Sequence, residues 1–199
     1  MLRRLLVLVW AAALAAQIPA HAQNEKVIRG FDGGMMVHTG YLFGNIGPEE
    51  FPAKGVPFGI GGVIRLHLGK HLRLGSEGYV STLNQRKNGS YLKYGWGGIL
   101  VDAYTVWGHF QPYIGITAGG GAATTLLMDE TPSEAWAPVD GTVYNRAGFF
   151  AIDPYLGVDF IVGKAMHLTL KVDWLNCFTK GGAMLPSGPR VYFGFLFYH

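Results

Sequence analysis

Residues 190–199 read RVYFGFLFYH, and this stretch decides the fold. Val191, Phe193, Phe195 and Phe197 fall at every second position, which places them on one face of a β-strand. No polar side chain interrupts that face before His199. A soluble strand of this kind needs a core large enough to take all of these rings, whereas a strand in a bilayer needs only lipid. A closed barrel pairs its last strand with its first and leaves no edge. The segment is therefore expected to complete a barrel built from strands earlier in the chain.

The 199 residues fit a single domain. Hydrophobic residues make up 49% and charged residues only 15%, where a soluble domain carries about 25% charged residues. After the N-terminus no apolar run reaches the roughly 20 residues that a membrane helix needs. The missing charge is explained if one face of many strands meets lipid. Residues 1–22 read as a secretory signal, with Arg3 and Arg4 before an apolar stretch from Leu5 to Ala16 and a small-x-small cleavage site at Ala20-His21-Ala22. The barrel domain is then residues 23–199. Loss of Arg3 and Arg4 leaves 14 basic against 13 acidic residues, a balance that gives no reason to expect a nucleic-acid partner. Cys177 is the one cysteine and cannot form an internal disulfide.

Working back from the C-terminus, seven more segments alternate. They are Gly30 to Phe43, Phe58 to Leu68, His71 to Leu83, Tyr91 to Tyr104, Phe110 to Leu127, Gly148 to Val162 and Met166 to Leu175. In the fourth, Leu92, Tyr94, Trp96 and Leu100 are read as the apolar outer face. Short turns are expected at Gly69-Lys70, Thr105 to His109 and Gly163 to Ala165. Longer loops are expected at Gly44 to Pro57, Asn84 to Ser90, Met128 to Ala147 and Asn176 to Pro189. Connections that alternate long and short put all the long loops at one end. The expected fold class is all-β, an eight-stranded antiparallel up-and-down transmembrane β-barrel with short periplasmic turns and long external loops.

A lipocalin-like or avidin-like soluble barrel also alternates, but its polar face meets water and should be rich in Lys, Glu and Thr. Here the polar face is largely Gly with a few charges of both signs, which suits a crowded lumen. The apolar face carries large rings, including Trp96, Trp174, Phe150 and Phe193, at levels that suit interfacial girdles. The last strand resembles the C-terminal signature strand of bacterial outer-membrane barrels, with its closing aromatic at Tyr198 and His199 after it. The mature chain resembles the small outer-membrane barrel class typified by OmpX and the OmpA membrane domain. That resemblance implies the outer membrane of a Gram-negative bacterium. It also implies contact with outer-membrane lipid and lipopolysaccharide, and recognition by the barrel assembly machinery through Val191, Phe193, Phe195, Phe197, Tyr198 and His199.

Arg65, Arg73, Glu77, Asp153, Asp159, Lys171 and Asp173 share the inward parity. An eight-stranded lumen is just wide enough for side chains, so these seven are expected to be a charge network filling it and not an ion path. His67, His71, His109, His167 and His199 fall near the short-turn end but on different strands, so convergence on a metal is not expected. His167-Leu168-Thr169 is similar to the His-x-Ser pair of outer-membrane lipid A deacylases, with Thr in place of Ser. Acyl chemistry on lipid A needs a base and nucleophile facing the outer leaflet, and this pair faces the lumen at the opposite end. No catalytic residue, cofactor or phosphate loop is expected. The function that follows is a non-enzymatic outer-membrane barrel with a structural or surface-interaction role, open to a surface partner at its external loops. A lipid-modifying enzyme is the alternative, and a secreted soluble ligand-binding barrel comes third.

Overall fold

Residues that alternate large apolar with small or charged side chains build long strands, because each strand can then satisfy two different environments at once. The computed structural model describes residues 27–46, 51–52, 54–84, 90–127, 143–179, 185 and 187–199. The expected signal at 1–22 and the central parts of the expected loops lie outside these. The strands are β1 (Ile28–Gly40), β2 (Asn45–Ile46), β3 (Phe51–Pro52), β4 (Phe58–Leu68), β5 (Leu72–Asn84), β6 (Tyr91–Tyr104), β7 (Phe110–Leu127), β8 (Val143–Ile161), β9 (Met166–Phe178) and β10 (Gly188–Tyr198). β2 and β3 pair only with each other, as a small hairpin in the first long connection.

The other eight strands form one closed antiparallel barrel in which each strand pairs with its sequence neighbour. Closure comes from β10 lying antiparallel to β1, with Asp32 opposite Tyr198 and Gly40 opposite Arg190. His199 and Phe31 exchange both backbone hydrogen bonds just past the end of β10. Tight turns join β4 to β5 and β6 to β7, and Gly69 and Gly108 take the positive φ values of 62° and 61° that these turns require.

The barrel is inside out relative to a soluble one. Phe31, Phe58, Phe150, Phe160, Trp174 and Phe193 are exposed on its outer wall, with many aliphatic side chains between them. An apolar band of this extent is the property of a wall that meets lipid. Every charged residue expected in the lumen is buried there, joined by Asp32, Asp102 and Arg190. At the long-loop end Leu42, Leu83, Leu92, Leu175 and Leu185 are also buried and belong to the apolar cluster inside the barrel.

Three expectations need correction. In β6 the phase is reversed: Leu92, Tyr94, Trp96 and Leu100 are buried in the lumen, while Ile99 and Val101 face outward. Trp96 is therefore no girdle residue. β8 begins at Val143, inside the expected loop, because the β7–β8 hairpin continues to the pair Leu127–Val143. β9 runs three residues past Leu175, so Asn176 to Phe178 are strand and not loop. Cys177 is thus a ladder residue opposite Ala151, half-buried and packed against the buried cluster.

Strand closure is tight at the β1–β10 seam. A Cβ added at Gly34 would lie 1.9 Å from the Phe195 carbonyl oxygen, whereas one at Gly78 would come no closer than 3.5 Å to any heavy atom. Gly34→Ala is expected to destabilise the barrel by about 1–3 kcal/mol through overpacking, with Gly78→Ala close to wild type. Urea unfolding midpoints in lipid or detergent check this pair.

Candidate functional site

The lumen holds two connected layers of charge, and the register of the strands sets both. Toward the short-turn end, Asp32 on β1, Arg65 and His67 on β4, Arg73 on β5, Asp102 on β6 and Asp159 on β8 project inward. Arg65 donates to both Asp32 oxygens, from Nε at 2.7 Å and from Nη2 at 3.1 Å. It also donates to Asp159 Oδ2 at 3.0 Å. Arg73 donates through Nε to Asp102 Oδ1 at 2.6 Å and through Nη1 to the same Asp159 oxygen at 2.8 Å. One Asp159 oxygen therefore bridges two guanidinium groups that would otherwise repel. Both guanidinium groups also lie over the Tyr113 ring, at 5.3 and 4.7 Å from its centroid.

The second layer lies toward the long-loop end and centres on Lys171. Its ammonium donates to Glu77 at 3.0 and 2.8 Å and sits 4.0 Å from Asp153 and from Asp173. Three tyrosine rings, Tyr79, Tyr155 and Tyr192, surround it at 5.3, 4.4 and 4.8 Å. Arg190 closes the layer with a two-point bond to Asp173 at 3.0 and 2.6 Å and a bond to Asp153 at 3.2 Å. Glu77 accepts further bonds from Tyr79 at 2.8 Å and Thr117 at 2.6 Å. Between the layers lies a cavity of about 10 Å³, lined by Arg65, Glu77, Asp102 and Lys171 among others. That is room for about one water molecule.

The structure brings together all seven residues expected in the lumen network, but not as a single set. Arg65, Arg73 and Asp159 belong to the first layer, and Glu77, Asp153, Lys171 and Asp173 to the second. Sequence reasoning left out Asp32, Asp102, Arg190 and His67. Asp32 and His67 were visible by parity, since each alternates with outward apolar residues. Asp102 was hidden by the reversed phase of β6.

The histidines are parted. His67 Nε2 lies 2.6 Å from Asp32 Oδ2, and its Nδ1 lies 3.1 Å from the Tyr104 hydroxyl. His167 stacks on Tyr198, and His199 stacks on Phe31. His71 and His109 are exposed. Among the described residues no group of three His, Cys, Asp or Glu is arranged to hold a metal. His167 and Thr169 both face the lumen, and the Thr169 hydroxyl is engaged with Tyr113 at 2.9 Å. In β10 Val191, Phe193, Phe195 and Phe197 face outward, while Tyr198 lies in the half-buried row that ends the lumen.

The barrel fold recurs among solved structures. Neisserial surface protein A aligns with a TM-score of 0.64 at 13% identity, covering 86% of this chain and 99% of that one. Ail, the attachment invasion locus protein of Yersinia pestis, aligns with a TM-score of 0.56 at 9% identity, again over 86% and 99%. The chain has the fold of the small eight-stranded outer-membrane barrels. No protein-family model and no curated protein matches it. At these identities the likeness is one of fold.

Charge counting ranks the lumen residues. Around Lys171 three carboxylates face two cations, so Lys171→Met leaves Arg190 alone against Glu77, Asp153 and Asp173. Glu77→Gln removes the surplus carboxylate and keeps an acceptor for Tyr79 and Thr117. Lys171→Met is expected to cost about 3–5 kcal/mol, and Glu77→Gln about 1–2 kcal/mol. Lys164→Gln in the exposed β8–β9 turn leaves the urea midpoint unchanged.

Proposed function

We propose that the protein is an outer-membrane barrel of a Gram-negative bacterium with a structural or surface-interaction role and no open pore. The observation that carries this reading is the division of side chains. All described carboxylates are buried in the lumen, the outward parity carries exposed Phe, Trp, Ile, Leu and Val side chains, and the space between the two charge layers is the size of one water. Such a wall is stable in lipid and a liability in water. Such a lumen has no continuous path for ions.

In this reading the tight turns at Gly69, Gly108 and Gly163 face the periplasm and the long connections face outward. The barrel then acts as a rigid mount for its external loops, where a surface partner would be held. The alternating outer face of β10, which also closes the barrel against β1, is the segment offered to the assembly machinery. A lipid-modifying role finds no support at His167 and Thr169, because both side chains point away from the lipid.

Two measurements check the reading. The protein should remain with membranes through carbonate washing and should migrate differently on a denaturing gel before and after boiling, because a closed barrel keeps its hydrogen bonds in detergent. Inserted into a planar bilayer, it should give no stable conductance steps. Identical mobility together with solubility in buffer, or discrete single-protein conductance, overturns the proposal.

A further inference from the structure

Among the described residues charge is distributed one-sidedly. Asp32, Glu77, Asp102, Asp153, Asp159 and Asp173 are the described carboxylates, and all lie in the lumen. The charges left on the described exterior are all cationic, and two of them, Lys93 and Arg146, stand on the outer wall itself near the long-loop end. They are neighbours across the ladder: Lys93 on β6 pairs with Thr124 on β7, which pairs with Arg146 on β8. Thr82 on β5 pairs with Lys93 from the other side. The row therefore reads Thr, Lys, Thr, Arg, with every side chain directed outward by the parity of its strand. Two strand spacings put the Lys93 and Arg146 backbones about 10 Å apart. None of the described carboxylates is on this wall to neutralise them.

The wall next to this row, toward the turn end, is nearly bare. The adjoining outward positions are Val80, Gly95, Ala122 and Gly148. The next are Gly78, Gly97 and Gly120, directly opposite one another and ending at the exposed Phe150. A row of glycines on a surface otherwise covered by Ile, Val and Phe is a shallow trough. The cationic row thus stands over an apolar depression inside the membrane-facing band.

We infer that this face is a lipid-binding site for lipid A, with its phosphates on Lys93, Arg146 and the two threonine hydroxyls and its acyl chains laid in the glycine trough. The inference rests on the proposed outer-membrane location with the long loops outside. The ligand class follows from chemistry. Two cations with flanking hydroxyl donors match phosphate oxygens, and a bare trough below them matches hydrocarbon, not a second polar group. A phosphorylated, multiply acylated lipid of the outer leaflet carries both parts.

The test uses the refolded full-length mature chain in micelles, read by native mass spectrometry. The probes are bisphosphorylated lipid A, the same lipid dephosphorylated, and phosphatidylglycerol. The wild type is expected to retain bisphosphorylated lipid A about tenfold better than the other two. Lys93→Gln with Arg146→Gln should abolish that preference without changing retention of the dephosphorylated lipid. Gly78→Leu should lower retention of both lipid A forms by filling the trough, and Lys164→Gln at the turn end should change neither. Equal retention of the three lipids by the wild type, or a preference that survives the double substitution, overturns the assignment. A boiled-versus-unboiled gel of the same samples separates this from the reading beneath it. A barrel that shifts but shows no preference loses only the lipid site, and one that never shifts loses the outer-membrane reading as well.

Discussion

Lys171 is held at the centre of the lumen by Glu77 at 2.8 Å, by Asp153 and Asp173 at 4.0 Å, and by three tyrosine rings. This contact states the constraint on the whole barrel. Eight strands enclose a space too narrow for bulk water and too long to leave empty. Aromatic and aliphatic side chains, among them Tyr79, Trp96, Tyr113, Tyr155, Tyr192 and Leu196, take part of it. Charge takes the rest, arranged so that each cation meets at least two carboxylates. A buried charge without its partner is costly, so each ion pair fixes the register of the strands that supply it. Asp159 joins β8 to both β4 and β5 through Arg65 and Arg73, and Glu77 joins β5 to β9 through Lys171. These pairs cross the lumen and tie together strands that are not ladder neighbours, which backbone hydrogen bonds cannot do.

Most of the fold could be read from the sequence, because lipid exposure writes a strict period of two into β1, β4, β9 and β10. β6 was misread because both of its faces are apolar. Leu92, Tyr94, Trp96 and Leu100 outweigh Ile99 and Val101 in size, so hydrophobicity alone chose the wrong face. The residue that could have corrected it is Asp102, which shares their parity and has no place on a lipid-facing wall. The lumen residues were legible as a set of inward charges, but their partners were not. Partnership depends on barrel shear, which brings Glu77 to Lys171 and not to Arg73 on its own strand. The start of β8 and the end of β9 were hidden for another reason. Beyond the lipid band the strands need no alternation, and polar residues such as Asn145, Arg146 and Asn176 continue the ladders there.

The division between a charged lumen and an apolar wall also assigns separate tasks. The lumen supplies rigidity, and the outer wall sets the environment in which that rigidity is useful. The Leu42, Leu83, Leu92, Leu175 and Leu185 cluster seals the long-loop end from within. The same separation leaves the described exterior with cations and no described carboxylate.

The claim beneath all of this is that Trp174 meets lipid while Trp96 does not. Trp174 is 47% exposed on the outer wall and Trp96 is 4% exposed in the lumen, stacked with Arg190 at 5.4 Å. Full-length mature variants that retain one or the other as their sole tryptophan can be folded into bilayers whose acyl chains are brominated near the carbonyl end. Strong quenching of Trp174 fluorescence and little quenching of Trp96 is the expected result. Equal quenching of the two, or stronger quenching of Trp96, would contradict the assignment of inside and outside on which the account rests.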